Sequence, residues 1–299
     1  MHIRALYRGV ANHSHLPVWK TAASGLHHPK LCELLIEYCL VMSVPAASNW
    51  PTNKVFGQKL RYITAYTLIG NYTRFLDDAS AAPTMTALQA GLEASPRQVA
   101  EFVKNLRLGG YVHSIRDSKD GRSLHLRPSP LLVLEVAKSP LAFLKSAEEI
   151  GFCPPGSTKA LQAAPDLMLR WIGRSVSTYQ ANDVLFSPFP TIVRLSERDA
   201  GYGILTAVIA TAFMDAMGIK PTFLLQYDEL ANRFQVSRQH IGNFFSEAKP
   251  FFTVRSGVLQ SISPDLICEF ATFALGQMAH YAILADETLT PGAVVQAQH

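Results

Sequence analysis

The sequence predicts a mainly α-helical protein with two small β-hairpins, arranged as two units in tandem. Amphipathic helical patterns cover most of the chain, and two short pairs of extended runs each follow a helix-turn-helix pattern. The same order of elements recurs in both halves. At 299 residues, with 48% hydrophobic and 17% charged residues, the chain can bury one large core or two ordinary ones.

The chain begins with a segment that has no helical or strand pattern. Residues 1–28 are basic and rich in histidine, without carboxylates or cysteines at metal-ligand spacing, so we interpret them as an N-terminal tail with no metal site. Residues 29–44 are amphipathic, with Pro29 near the start and Pro45 just beyond the end, which predicts a helix. A loop rich in Pro, Ser and Asn leads to a longer predicted helix over about 56–77.

Residues 84–127 predict a helix-turn-helix followed by a hairpin. Six apolar residues at helical spacing form the shared core of the two short helices: Leu88, Leu92, Val99, Phe102, Val103 and Leu106. Ser95 and Gln98 stand at the positions of a capping box around Pro96, and Gly109-Gly110 can supply the positive φ of a helix end. The second helix therefore has a defined start and end.

The hairpin is predicted from two extended runs, 111–112 and 124–126. The Asp-Gly pair within 118–121 is a turn signal between them. Ser129-Pro130 then opens a helix that extends to about Ile150. The helix-turn-helix and its hairpin thus lie between two long helices.

The second half of the chain repeats this order. Residues 151–164 have the composition of a linker, after which helix, long helix, helix-turn-helix, hairpin and final helix recur at similar lengths. A shift of 142 positions aligns the two motifs: Leu88 with Leu230, Leu92 with Phe234, Ser95 with Ser237, Val99 with Ile241, Phe102 with Phe244, and Val112 with Val254. We predict two domains, 29–150 and 165–287, and a C-terminal tail over 288–299.

Positive charge is concentrated in the first motif. Residues 94–127 carry seven Lys or Arg against three Asp or Glu, an excess that equals the net charge of +4 of the whole chain. A polyanion would be attracted mainly to this region.

Several function classes are disfavoured. The four cysteines are scattered without a CxxC pair, which argues against a zinc ribbon or a disulfide framework and favours core thiols. The N-terminus lacks an apolar signal-peptide region, and no apolar run is long enough to cross a bilayer, so we expect a cytoplasmic protein. No GxxxxGK[ST], GxGxxG, HExxH or GxSxG pattern is present, so we predict neither an enzyme nor a cofactor.

The order of elements and the segment RDSKDGRSLHL resemble the multiple-antibiotic-resistance regulator (MarR) family of winged-helix transcription factors. In that family an Asp and an Arg brace the hairpin, or wing; Asp120 and Arg122 would take these roles, whereas the second hairpin keeps only Arg255. The resemblance implies two winged-helix units related by pseudo-twofold symmetry and joined by packed terminal helices. One chain would then be a fused pseudo-dimer acting as a monomer, with further self-association left open.

The resemblance also implies sequence-specific binding of double-stranded DNA by recognition helices near 95–108 and 237–249. Arg can bind guanine, and Gln or Asn can pair with adenine, each good pair contributing about 1–3 kcal/mol of discrimination. The residues that we expect to contact DNA are Ser95, Arg97, Gln98, Lys104, Arg107, Arg116, Lys119, Arg122, Ser237, Arg238, Gln239, Asn243 and Arg255. Because the two helices differ, the predicted site has two unlike half-sites about one helical turn apart.

Other interpretations remain open. Plasmid replication initiators similarly place two winged-helix units in one chain, although we would expect them to be more basic. A protein-interaction scaffold fits the weak basicity of the second motif. The exposed polar residues can also be no more than the solvated faces of amphipathic helices. A set of aromatic and sulfur-bearing residues can either form part of the core or line a pocket for a small-molecule effector. These residues are Tyr62, Tyr66, Tyr72, Trp171, Tyr202, Phe213 and Met214.

Overall fold

The computed structural model describes residues 6–45, 55–78, 81–116 and 123–290. Within these ranges the protein is mainly helical with two antiparallel hairpins, which confirms the predicted fold class at that level. The predicted turn of the first hairpin, with Lys119, Asp120 and Arg122, lies outside the described residues. None of the helices within the described ranges combines the length and the hydropathy of a bilayer-spanning segment.

The elements follow the predicted order, with additional short helices. In the first half they are a 3-10 turn (Arg8–His13), α1 (Pro17–Ser24), α2 (Leu31–Met42), α3 (Lys59–Asp77), α4 (Met85–Ala90), α5 (Pro96–Leu108), β1 (Val112–Arg116), β2 (Leu124–Pro128) and α6 (Pro130–Glu149). In the second half they are α7 (Ser157–Ala163), α8 (Pro165–Ala181), α9 (Pro190–Ser196), α10 (Gly201–Ala216), α11 (Tyr227–Phe234), α12 (Arg238–Glu247), a 3-10 turn (Lys249–Phe251), β3 (Phe252–Arg255), β4 (Val258–Ile262) and α13 (Pro264–Leu289).

The elements group into two compact units, each built from two separate stretches of chain. The units are residues 60–183 with 281–299, and residues 1–59 with 184–280. The first holds the helix-turn-helix and hairpin of residues 85–128, which we call head 1. The second holds those of residues 227–262, which we call head 2. We refer to the head 1 unit and the head 2 unit accordingly.

The head 1 unit is organised around the contact of α3 with α8. Glycines allow these two helices to approach closely, because a Cβ on Gly70 would collide with Val176 and one on Gly173 would collide with Thr73. Trp171 of α8 is fully buried, and its Nε1 donates a hydrogen bond to the Tyr281 carbonyl at 3.2 Å. The α3–α8 contact therefore lies at the centre of the head 1 unit.

The head 2 unit is organised around the contact of α2 with α10. The hydroxyls of Tyr38 in α2 and Tyr202 in α10 are 2.6 Å apart and share a hydrogen bond. Arg233 of head 2 donates from Nε to the carbonyl of Ser43, just after α2, at 2.7 Å. The end of α2 is thus fixed directly to the first helix of head 2.

The compact units differ from the predicted domains 29–150 and 165–287. Helix α2 belongs to the first half of the sequence but packs in the head 2 unit, whereas α8 belongs to the second half but packs in the head 1 unit. Each unit therefore includes helical segments from the other half of the sequence. An amphipathic pattern predicts that a helix has a buried face, but it does not specify which long helix covers that face. The pseudo-twofold relation of the two halves stays a prediction.

Part of the predicted N-terminal tail is folded. Residues 8–24 form a 3-10 turn and α1, and Trp19 is 1% exposed. The Trp19 ring lies 5.7 Å from that of Phe189 and fills the space beside Gly276, where a Cβ would collide with it. The single large aromatic residue buries enough apolar surface to fix a short helix that the histidine-rich composition does not predict.

The predicted linker 151–164 is also partly helical. Helix α7 buries Leu161, and Gly156 precedes it with φ of +93°, a conformation that favours glycine. The carboxylate of Glu148 accepts hydrogen bonds from the backbone N–H groups of Gly156, at 3.1 Å, and of Thr158. A side chain of the preceding helix thus caps α7, in place of a local capping residue that the sequence pattern could have shown.

Candidate nucleic-acid interface

Helix α5 of head 1 begins at a complete capping box, as predicted. Ser95 Oγ accepts a hydrogen bond from the Gln98 N–H at 3.3 Å, and Gln98 Oε1 accepts one from the Ser95 N–H at 3.3 Å. Gly110 follows the helix with φ of +74°, so the predicted glycine at the helix end is required at this position. The boundaries of α5 are therefore set by its own sequence.

One face of α5 is buried and the other is exposed. Val99, Phe102, Val103 and Leu106 are buried, whereas six polar residues are exposed: Arg97, Gln98, Glu101, Lys104, Asn105 and Arg107. Lys104 Nζ lies 3.8 Å from a carboxylate oxygen of Glu101, and both side chains are well solvated. Among the described residues, Arg97 makes no ion pair. The face that the sequence predicts to contact DNA is available to a ligand.

The capping box limits the predicted role of Gln98. A bidentate contact with adenine needs both the carbonyl oxygen and the amino group of the side-chain amide. The Gln98 Oε1 already accepts hydrogen bonds from the Ser95 N–H and, at 2.9 Å, from the Ser95 hydroxyl. A bidentate contact through Gln98 would therefore open the cap, whereas the neighbouring Arg97 side chain is exposed.

Both hairpins are attached to their heads by the same backbone hydrogen bonds. The N–H of Leu126 in β2 donates to the carbonyl of Pro83, before α4, at 2.7 Å; in head 2, Leu259 of β4 donates to Leu225, before α11, at 3.0 Å. A second pair of equivalent hydrogen bonds closes the base of each hairpin. The N–H of Ser129 donates to the Tyr111 carbonyl at 2.9 Å, and the N–H of Ser263 donates to the Phe251 carbonyl at 2.8 Å. Each hairpin is thus fixed beside its helix-turn-helix.

Helix α12 of head 2 has a simpler cap and an aromatic core. Ser237 Oγ accepts a hydrogen bond from the His240 N–H at 3.1 Å, and His240 stands where α5 has its capping Gln. Phe244 and Phe245 are 1–2% exposed, and the ring of Tyr227 stacks on that of Phe245 at 5.7 Å. The exposed side carries the three predicted polar contact residues, which are Arg238, Gln239 and Asn243.

The second hairpin closes with a two-residue turn. Ser256 and Gly257 have φ values of +51° and +73°, the pattern of a type I′ turn, which suits the twist of two adjacent strands. Arg255 is exposed and pairs with Val258 across the start of the turn. The short turn explains why this hairpin is shorter than the first.

Two arginines of head 2, Arg233 and Arg238, are engaged by other groups, and Arg198 of the head 2 unit pairs with Glu247 of head 2. Arg238 Nη1 donates to Asp228 Oδ2 at 2.5 Å, and Arg198 Nε donates to Glu247 Oε2 at 2.9 Å. Arg233 lies 4.3 Å above the Phe223 ring, and its partial burial lowers its pKa. Head 2 therefore presents less uncompensated positive charge than the number of its basic residues indicates.

The structure groups most of the predicted contact residues on two exposed helix faces. Ser95, Arg97, Gln98, Lys104 and Arg107 share α5, with Arg116 at the exposed end of β1. Ser237, Arg238, Gln239 and Asn243 share α12 or its cap, with Arg255 at the end of β3. Lys119 and Arg122 lie outside the described residues. The pairing of Asp228 with Arg238 has no signal in the sequence, because the two residues are ten positions apart and no helical spacing relates them.

The residues considered for an effector pocket lie in two different units. Tyr66 and Trp171 are core residues of the head 1 unit, where the Tyr66 hydroxyl shares a hydrogen bond with Ser175. Phe213 and Met214 are core residues of the head 2 unit. Burial raises the pKa of Tyr66 and of Cys39 well above their ordinary values. An effector stays a prediction.

Within the described residues, no cluster of three or more His, Cys, Asp or Glu side chains has the geometry to hold a metal ion.

No protein-family model matches the chain, and no curated protein or solved structure is significantly similar to it. The resemblance to the MarR family, noted above from the sequence, stays a prediction.

Proposed function

We propose that this chain is a sequence-specific regulator of transcription that binds double-stranded DNA through two unlike heads. One observation carries the proposal. Helices α5 and α12 each bury an apolar stripe within their own head and expose a serine-capped first turn with an adjacent Arg and Gln. Arg97, Arg238 and Gln239 are the side chains best placed to meet base edges.

The physical basis is the fit of a helix to the major groove. A groove about 12 Å wide admits one α-helix, and the N-terminal residues of that helix reach the base edges. The positive end of the helix dipole and its free N–H groups favour nearby phosphates. Arg97 and Arg238 would bind guanine O6 and N7, whereas the side chains of Lys104, Arg107 and Arg116 would bind phosphates.

The first test is direct binding to duplex DNA. We expect the chain to bind salt-dependently and to select two unlike half-sites from random duplexes, detected by mobility shift and sequencing of the bound fraction. Arg97→Ala should relax selection in one half-site and Arg238→Ala in the other. Lys145→Ala, which removes an exposed lysine of α6, is the control. Equal binding to each half-site doubled as a palindrome would contradict the proposal.

The charge pairing of head 2 supports a second candidate, a protein-interaction scaffold. Asp228 offsets Arg238 within head 2, and Glu247 pairs with Arg198 outside it, so head 2 lacks the larger positive excess of head 1. A scaffold would bind duplex DNA weakly or not at all. Binding that is insensitive to salt between 50 and 200 mM, where about 10³–10⁵-fold is lost for a protein with several phosphate contacts, would favour this candidate.

A further inference from the structure

We propose that Asp228 is a positioning residue that holds Arg238 ready for base contact and thereby sets the sequence preference of head 2. The inference rests on the proposed function, because it assumes that α12 lies against a duplex. It assigns a role in recognition to an acidic residue that would otherwise only weaken the attraction of head 2 for DNA.

The guanidinium of Arg238 is hydrogen-bonded on one side and adjoins the hairpin turn on the other. On one side, Nη1 donates to Asp228 Oδ2 in the first turn of α11, at 2.5 Å. On the other side, Nη2 lies 3.3 Å from the position that a Cβ would occupy on Gly257, in the turn of the second hairpin. The first helix of the motif and the hairpin turn thus bracket one side chain of the second helix.

The residues around this bracket fit the guanidinium closely. Gly257 has φ of +73° and leaves space that a larger side chain would take from Arg238. The Tyr227 ring lies beside the same turn, 3.7 Å from the Cβ position of Gly257. Burial raises the pKa of Tyr227, and the positive charge of Arg238 opposes that rise. The Arg238 guanidinium therefore lies between its hydrogen-bond partner Asp228 and the hairpin turn at Gly257.

This geometry leaves Arg238 able to contact DNA. The side chains of Arg238 and Asp228 are 60% and 66% exposed, and a guanidinium has five N–H donors, of which Asp228 uses only part. Guanine O6 and N7 can accept hydrogen bonds from the remaining donors. Because the rotamers of Arg238 are already restricted, less conformational entropy is lost when it binds a base.

Asp228 also lowers the affinity of Arg238 for backbone phosphates. A backbone phosphate that approaches the guanidinium meets the carboxylate, so non-specific contacts are disfavoured by like-charge repulsion. A base edge carries no net charge and is not repelled in this way. Asp228 should therefore weaken non-specific binding and strengthen discrimination between bases. An exposed ion pair contributes little to stability, so a purely stabilising role is a weak explanation for this arrangement.

The test compares Asp228→Asn with Glu247→Gln, which removes the same charge from head 2 without contacting Arg238. Each variant of the full chain is incubated with random duplex DNA, and both the overall affinity and the base preferences of the bound fraction are measured. We expect Asp228→Asn to reduce the preference at the bases read by Arg238 by about two- to five-fold, the range that an exposed ion pair supplies. Glu247→Gln should leave those preferences unchanged, even where it raises the overall affinity.

A double variant separates positioning from charge. In the background of Arg238→Ala, the change Asp228→Asn should have no further effect on base preference, because the side chain that it positions is absent. Unchanged base preference in Asp228→Asn alone would overturn the inference, while duplex binding by the unmodified chain would still support the proposed function. If the unmodified chain shows no salt-dependent duplex binding, the proposed function fails, and this inference fails with it.

Discussion

Head 1 and head 2 share a backbone framework but differ in how they hold their principal arginine. Arg97 makes no ion pair with any described residue, whereas Arg238 is bound by Asp228 and bracketed by the hairpin turn at Gly257. Head 1 also has an excess of exposed basic residues, whereas Arg233 and Arg238 of head 2 are both engaged by other groups. Under the proposed function, this difference would divide the roles: head 1 would supply most of the attraction to phosphates, and head 2 would supply sharper discrimination between bases.

The two heads also differ in their cores, because the core of head 2 contains packed aromatic rings. Removing one of these rings gives the largest effect that we predict. Phe244→Ala should cost about 3–5 kcal/mol, because it removes a fully buried ring that contacts Phe245 and Phe252. Urea unfolding measures the loss, and hydrogen exchange should place the lost protection in head 2. The control, Leu108→Ala, changes a residue that is 73% exposed and should cost under about 0.5 kcal/mol. Equal loss of protection in both heads would contradict independent cores.

The two units should also differ in their response to acid. His280 of the head 2 unit is buried, which lowers its pKa to about 3. Because the folded state disfavours the charged form, the stabilising effect is complete above the unfolded pKa of about 6.5 and is lost as the pH falls toward 3. Between pH 6.5 and pH 3 we expect the free energy of unfolding to fall by up to about 1.4 kcal/mol for each pH unit.

Thermal unfolding of His280→Gln from pH 7 to pH 4 tests this expectation. The variant should lose much of the pH dependence of the unmodified chain, whereas His113→Gln, a change to an exposed histidine of β1, should retain it. An identical pH dependence in His280→Gln and the unmodified chain would show that another group causes the acid sensitivity.

The two heads should differ less in the stability that their helix caps contribute. Ser95→Ala should cost about 1 kcal/mol, because it removes one side of a reciprocal capping box. Ser237→Ala should cost less, since Ser237 accepts a hydrogen bond from His240 without that reciprocal partner. Urea unfolding of both variants measures the difference. A larger cost for Ser237→Ala would mean that the two caps are not ranked by their local hydrogen bonds.

The smallest predicted change is in the salt dependence of binding. Arg107→Ala should weaken binding to all duplex sequences alike and reduce the slope of log K against log salt by about 0.9, the value for one phosphate contact. Lys145→Ala should leave the slope unchanged. A loss of base preference in Arg107→Ala would assign Arg107 to base reading instead of phosphate binding.

Local features of both heads could be predicted from the sequence. The Ser95–Gln98 capping box, the glycine at Gly110 and the apolar stripe of α5 depend on residues within about four positions of one another, so spacing alone indicates them. The two hairpins are predicted for the same reason. These features depend on local backbone geometry and not on the rest of the chain.

The features that the sequence did not predict depend on distant partners. Helices α2 and α8 have amphipathic patterns that fit either half, and only the tertiary contacts place them in opposite units. Burial of Trp19 depends on Phe189 and on the absence of a side chain at Gly276. The pairing of Arg238 with Asp228 requires the turn between α11 and α12 to bring their side chains together.

The central claim, two unlike DNA-reading heads in one chain, is tested most directly by selecting bound sequences from random duplex DNA with the unmodified chain, Arg97→Ala and Arg238→Ala. The account predicts two unlike half-sites, with each variant relaxing the base preference in a different one. Absence of any enriched sequence, or relaxation of the same base positions by both variants, would contradict it.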